Sequence, residues 1–302
     1  MAVPLFSVII TTFNRRKLLE KAIESVLSQT YKNFELIIVN DCSTDDTLSY
    51  LNSLDNDRIS IFTNEKNMHV SYSRNRAIEQ ANGEWIVFVD DDDIMLENKL
   101  QVLADTIHAS PQITFIHHRV WIDYVRDNKK RLSSNWLSEN YKEEIYVSNM
   151  IGGPNNVCIK KTLLMETERF DTSLQLAEDY ELWIRLIRLD KFKVKFLDMP
   201  LAVIHMERGK VSLDKDLEAF KKSNVIISQH YRKEIDKLSK KLKKKKQENY
   251  AYRYAARCIH GNKRLCATVG FWKAFWYSGK PKYFFAGILS LISPKLLIRL
   301  YR

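Results

Sequence analysis

Four short apolar runs, rich in β-branched residues, recur within the first ninety positions: Leu5–Thr11, Phe34–Val39, Ile59–Thr63 and Glu84–Val89. Each reads as a buried strand. Between the first two, Arg16–Gln29 sets Leu18, Leu19, Ala22, Ile23, Val26 and Leu27 on one helical face. Asp46–Leu54 and Ser71–Ala81 read as further helices, the latter stopped by Asn82-Gly83. Strands and helices alternating at this spacing predict an α/β fold with a mostly parallel central sheet covered on both faces.

Farther along the pattern is mixed. Ile113–Trp121 and Val157–Ile159 read as strands, Gly152-Gly153-Pro154 as a tight loop, and Glu178–Leu189 as an amphipathic helix. From Asp214 onward the chain reads as helical, with a lysine-rich stretch from Lys237 to Lys246. The expected divisions are therefore 1–110, 111–212 and a helical appendage, 213–302.

Charge sharpens that last boundary. Residues 213–302 hold 22 Lys+Arg against 6 Asp+Glu, a net of +16, while 1–212 hold 26 against 31, a net of −5. The whole excess of +11 belongs to the appendage. A basic appendage on a near-neutral body predicts a polyanionic partner, lipid or nucleic acid. No nucleic-acid-binding signature occurs, so an anionic membrane surface is the expected partner and nucleic acid is not. The aromatics of 270–302 are interleaved with Lys and Arg, yet the longest apolar stretch, Tyr283–Ile292, is too short to cross a bilayer. Interfacial binding fits this composition; the alternative is that the aromatics pack on the body. The four cysteines form no paired framework, and Cys258, His260 and Cys266 match no common zinc spacing. Met1–Thr12 lacks the regions of a secretory signal, which predicts a cytoplasmic protein, peripheral on the inner face of the cell membrane.

Three polar clusters, Thr11–Arg15, Asn40–Asp46 and Asp90–Asp93, fall at strand carboxyl ends, where open α/β sheets bind ligands. They are expected to meet in one crevice. Four consecutive aspartates repel one another unless a positive charge offsets them. A divalent cation does so, and hard oxygen ligands suit Mn²⁺ or Mg²⁺. The bland alternative is a solvated acidic turn that caps the next helix.

The motifs Ser7–Asn14, Ala22–Tyr31, Glu35–Thr47, Asn67 with Ser73-Arg74-Asn75, Gly83–Asp93, Phe170-Asp171 and Glu178–Trp183 occur in order over about residues 5–212. Together they resemble glycosyltransferase family 2. The resemblance implies a GT-A fold, with 1–110 as the nucleotide-sugar-binding half and 111–212 as the acceptor-binding half of one domain. It implies an inverting, metal-dependent transfer of a sugar from a nucleoside-diphosphate donor to a lipid-linked or membrane-proximal saccharide, as in surface polysaccharide synthesis. Thr11 and Phe13 would line the base pocket, Phe13 by stacking. Asp41 would accept a base imino hydrogen, favouring UDP-sugars. Asn67, Arg74, Asp90 and Asp91 complete the expected donor set, with Arg74 on the base or diphosphate. Asp90 and Asp92 match the outer positions of the Asp-x-Asp element, Asp92 as metal ligand. Asp179 matches the general base; the alternative is a carboxylate offsetting a helix dipole. His205 is a second metal candidate, against a purely structural histidine. Arg208 and Lys210 could close over the diphosphate, with Gly209 as hinge.

Three positions depart from the family pattern. Asn40 stands for a common Asp, Cys42 for a common Gly, and His69 for the Gly usual after Asn67. His69 leaves the shape of the donor loop open. Two alternatives stand beside this reading: a nucleotidyltransferase, whose glycine-rich basic phosphate loop is missing after Thr12, and a catalytically idle sugar-nucleotide or membrane-binding scaffold, against which Asp92 and Asp179 argue.

Overall fold

The computed structural model describes residues 6–125, 129–134, 137–206, 216–294 and 296–297. The chain opens as β1 (Phe6–Thr12), α1 (Arg16–Leu27), β2 (Phe34–Asn40), α2 (Thr47–Asn52), β3 (Ile59–Thr63), α3 (His69–Gln80) and β4 (Trp85–Asp90). It continues through β5 (Ile94–Met95), α4 (Lys99–Ala109), β6 (Phe115–Tyr124), β7 (Lys129–Leu132) and α5 (Tyr141–Glu144). A 3₁₀ turn, Pro154–Asn156, leads into β8 (Val157–Lys160), α6 (Lys161–Glu166), α7 (Glu178–Ile187) and β9 (Val194–His205). The helices α8 (Leu217–His230), α9 (Arg232–Lys237), α10 (Lys240–His260), α11 (Arg264–Ser278) and α12 (Pro281–Ile292) follow.

Two compact units result. The first comprises Met1–Leu137, Ile151–Leu174 and Glu178–Gly209; the second comprises Ser138–Met150, Gln175–Ala177 and Lys210–Arg302. The second unit thus takes in two short segments that precede the basic third of the chain.

The first unit is built on one sheet in the order β3-β2-β1-β4-β8-β6-β9-β5, with β7 on the edge of β6. Its long registers, β1 with β2 and β4, β2 with β3, and β6 with β9, are parallel. The short β8 is antiparallel to both β4 and β6 and joins the two parallel portions. β1 and β2 are apolar on successive residues because both faces are covered, as parallel strands require. Leu19, Ala22, Ile23 and Val26 of α1 join Val8, Ile10, Leu36 and Val87 in the principal core. α7 departs from the amphipathic expectation. Tyr180, Leu182, Trp183, Ile184, Leu186 and Ile187 are all buried, and Glu181 is buried with them through its pairing with Arg185 at 2.7 Å.

In the second unit α10, α11 and α12 share a core of Ala251, Ala255, Ile259, Phe271, Tyr283 and Ala286. Ser239 caps α10 by accepting from Leu242 N–H, and Asp216 caps α8 by accepting from Glu218 and Ala219 N–H. Among the described residues no helix is long and apolar enough to cross a membrane.

Candidate active site

The polar clusters after β1, β2 and β4 are brought together because these strands are sheet neighbours pointing the same way. Asn14, in a left-handed conformation (φ 53°), accepts from Thr44 N–H at 2.7 Å and donates its own N–H to Ser43 at 2.9 Å, lacing the first loop to the second. Asp41 N–H donates to Thr12 O at 2.8 Å. Thr12 Oγ1 donates to Asp91 Oδ2 at 2.7 Å and so ties the first loop to the third.

Asp41 is buried. Its Oδ1 accepts from Asn64 Nδ2 at 2.7 Å and from Met68 N–H at 2.8 Å, which orients the carboxylate at the carboxyl end of β2. Phe13 lies on the loop beside it, 41% exposed, with a ring available for stacking. Thr11 is half-buried at the end of β1. Asn67 is exposed, and its Oδ1 accepts from His69 N–H at 3.3 Å in the turn that starts α3. Cys42 and His69, the two replacements for glycine, both hold left-handed backbone, with φ 61° and 66°. The loop therefore keeps the backbone that glycine ordinarily supplies, and His69 does not reshape it.

The four aspartates divide by environment. Asp91 is buried and held by Thr12 and by Arg15 Nη1 at 2.8 Å. Burial pushes its carboxyl up to about 6 despite the Arg15 guanidinium. Its two oxygens accept from Thr12 and Arg15, so it orients Arg15. The same Arg15 nitrogen reaches Asp92 at 2.9 Å, and Asp92 keeps a partly exposed side chain. Asp93 is buried, accepts from His205 N–H at 2.9 Å, and is driven well above the ordinary carboxylate range by burial and by its acidic neighbours.

Arg74 is held inside the fold. Burial leaves it 5% exposed, with Nη2 on Asp90 at 2.8 Å, Nη1 on Glu178 at 2.9 Å, and the guanidinium over the Phe170 ring at 5.3 Å. Both arms pair with carboxylates, so it bridges β4 to α7. Asp179, next to Glu178, interacts electrostatically with the same guanidinium. Its Oδ1 accepts from Tyr180 N–H at 2.6 Å.

Asn155 went unnoticed in the sequence. Its Oδ1 accepts from Asp90 N–H at 2.8 Å, and its Nδ2 donates to Asp90 Oδ2 at 3.2 Å and to Asp93 Oδ2. Lys99, fully buried, donates Nζ to Asn155 O at 2.7 Å. The Gly152-Gly153-Pro154 loop delivers Asn155, because Gly152 takes a left-handed φ of 93° just before the 3₁₀ turn. A polar residue after such a loop was the available signal. Arg15 likewise sits in a cluster singled out in the sequence, and the repulsion among four aspartates already called for a cation beside them.

His205 ends β9 next to this loop, with Nδ1 at 3.0 Å from Asp92 O. A carbonyl oxygen only accepts, so Nδ1 carries the proton and neutral His205 bears its lone pair on Nε2. The Asp92 carboxylate suits Mn²⁺ or Mg²⁺, and an imidazole nitrogen beside it favours Mn²⁺ over the harder Mg²⁺. Among the described residues no cluster of three or more ligating side chains occurs. A cation here would thus complete its shell from the diphosphate and water, as Mg²⁺ does at phosphate sites. Arg208, Gly209 and Lys210 lie outside the described residues.

Residues 7–168 match the profile described as Glycosyl transferase family 2. An uncharacterized glycosyltransferase of Haemophilus influenzae is 28% identical over 99% of both chains. The putative colanic acid biosynthesis glycosyl transferase WcaA of Escherichia coli K12 is 30% identical over 80% of this chain and 85% of its own. The E. coli UDP-Glc:alpha-D-GlcNAc-diphosphoundecaprenol beta-1,3-glucosyltransferase WfaP is 28% identical over 74% and 86%. Among solved structures, S. aureus TarS 1–349 in complex with UDP-GlcNAc superposes with a TM-score of 0.58 at 18% identity, over 93% of this chain and 90% of that one. The mannosyltransferase PcManGT of Pyrobaculum calidifontis, in complex with GDP-Man and Mn²⁺, superposes at 0.55 and 15% identity, over 97% and 75%. A mainly parallel sheet with an acidic crevice at its strand ends defines a GT-A glycosyltransferase fold. Within that class the chain belongs to glycosyltransferase family 2.

Proposed function

We propose that the protein is an inverting, metal-dependent glycosyltransferase that moves a hexose from a UDP-sugar to a lipid-linked saccharide in surface polysaccharide synthesis. The observation that supports this reading is Arg74, whose two arms join Asp90 at the end of β4 to Glu178 at the start of α7, beside Asp179. WfaP, named for a UDP-Glc donor and a diphosphoundecaprenol acceptor, supports the substrate classes.

In this mechanism Phe13 stacks on the uracil and Asp41 accepts its imino hydrogen through the oxygen not engaged by Asn64 and Met68. Thr11 and Asn67 border the base and ribose, and Asp90 holds the ribose or donor sugar. Asp179 takes the proton from the acceptor hydroxyl as its oxygen bonds to the anomeric carbon. The bond from that carbon to the diphosphate oxygen breaks, and its electron pair leaves with UDP. A divalent cation on Asp92 and His205 would offset the charge developing on the leaving group. Arg74 and Asn155 position the acidic loop, and Asp91 positions Arg15. The basic helical unit meets the anionic inner face of the cell membrane, where a lipid-linked acceptor resides.

The test is a thermal-shift series with UDP-, GDP- and dTDP-sugars, with Mn²⁺ or with a chelator. A ligand that binds only the native state raises Tm by mass action. UDP-sugars with Mn²⁺ are expected to give the largest rise, and Asp92→Asn to remove the Mn²⁺-dependent part. Equal shifts for all bases, or UDP-sugar shifts indifferent to the chelator and to Asp92→Asn, would overturn the reading.

A further inference from the structure

The hairpin of α11 and α12 carries large apolar side chains on its outer faces as well as in its core. Where these helices meet each other and α10, small and hydroxylated residues sit beside Phe271 and Tyr283. Thr268 Oγ1 lies 2.7 Å from Ser290 Oγ, and Ala267, Ala274 and Ala286 fill the shared core. A Cβ on Gly270 would fall 2.8 Å from Ala255 Cβ, and one on Gly287 would fall 2.3 Å from Trp272 Nε1, so the close approach depends on glycine at both places. Further large apolar side chains point outward. Leu265, Val269 and Trp276 share one face of α11, and Phe285 and Ile292, seven apart, share one face of α12. Trp276 is 86% exposed, Leu265 74% and Ile292 72%.

Close approach at glycines with large apolar residues left on the outer faces is a feature of helices that meet lipid. At about 22 Å and about 18 Å long the two helices are too short to span, so they would lie along the interface. Charge separates a lipid from a protein occupant. Residues 249–302 contain ten Lys+Arg and no Asp or Glu. Exposed Lys263, Arg264, Lys273 and Lys282 flank the apolar faces, and such a border suits anionic headgroups.

We infer that the outer faces of α11 and α12 insert into one leaflet of an anionic membrane, anchoring the protein by apolar burial as well as by charge. This rests on the membrane association proposed above and adds insertion to it; it does not depend on the sugar chemistry. The full chain is mixed with vesicles of phosphatidylglycerol and phosphatidylethanolamine, and binding is read by flotation at low and high salt. Brominated acyl chains report depth by quenching tryptophan. The wild type is expected to stay partly bound in 1 M salt and to be quenched. Trp276→Ser/Phe285→Ser/Ile292→Ser, three exposed positions, should bind at least tenfold more weakly, with Tm unchanged and the residual binding reversed by salt. Binding of the wild type that salt fully reverses, without quenching and undiminished in the triple variant, would overturn insertion and leave the electrostatic association standing. No vesicle binding by the wild type would remove both. A wild-type dimer that the triple variant converts to monomer, with vesicle binding unaltered, would assign the faces to a second copy of the chain and also overturn the inference.

Discussion

Arg74 Nη1 donates to Glu178 Oε1 at 2.9 Å across 104 positions of sequence, and both side chains are largely buried. With its second arm on Asp90, this guanidinium joins the end of β4 to the start of α7. Removing one partner of a buried pair leaves the other charge uncompensated, which costs about 3–5 kcal/mol. Arg74→Met is therefore expected to be strongly destabilising in urea titration and Glu178→Gln less so. The double variant should lose less than the sum of the two, with a coupling on the order of 1–3 kcal/mol. Strict additivity would mean that the bridge does not link β4 to α7 energetically.

Glu178 and Asp179 are neighbours with different work. Glu178 is committed to Arg74, whereas Asp179 is proposed as the base. Asp179→Asn should lower transfer roughly 10²–10⁴-fold, the usual worth of a positioned base, while the UDP-sugar thermal shift stays near that of the wild type. Glu178→Gln should lower Tm. If transfer survives in Asp179→Asn and fails in Glu178→Gln at a temperature where both are folded, the roles are reversed.

Much of this was legible in the sequence because strand carboxyl ends in a parallel sheet share one edge. The Thr11–Arg15, Asn40–Asp46 and Asp90–Asp93 clusters could be expected to meet, and Asn14–Thr44 and Thr12–Asp91 show that they do. Side-chain commitments were not legible. Nothing in spacing says that Arg74 is buried on two carboxylates, or that Asp91 is buried on Thr12 and Arg15 while Asp92 stays partly exposed. β9 was missed because its run from Val194 to His205 is only partly buried and is broken by Asp198 and Pro200, near the bulge in its pairing with β6. α4 was not predicted, although Leu100, Leu103, Ala104 and Ile107 carry helical spacing.

Cys42 and His69 make the backbone prediction testable. A residue with a Cβ in left-handed conformation costs about 1–2 kcal/mol, and glycine returns part of that as its own entropy loss. Cys42→Gly and His69→Gly should each raise stability by about 0.5–1 kcal/mol in chemical denaturation. Valine at either position, β-branched where φ exceeds 60°, should lower it by at least about 1 kcal/mol. If His69→Gly also leaves the UDP-sugar thermal shift unchanged, the imidazole takes no part in donor binding.

Lys99 yields a pH dependence with a definite sign. Burial lowers its amine to about 7 from the ordinary 10.5, against a weaker upward pull from Cys158 and Asp93. Between those two values the unfolded chain binds a proton that the folded chain does not, so stability rises as pH climbs through that window. Below about pH 7 both states are protonated, and the folded state bears the full cost of a buried ammonium. Lys99→Met removes the titration and the hydrogen bond to Asn155 O, the latter a loss that does not depend on pH. Relative to the wild type, the variant should therefore be most stable near pH 6 and should lose ground by a few kcal/mol on the way to pH 10. Urea titrations of both proteins at pH 6, 8 and 10 measure this directly. A stability difference that stays flat across the series would mean that the amine titrates normally. Its grip on Asn155, and through Asn155 on Asp90 and Asp93, would then be that of an ordinary ammonium.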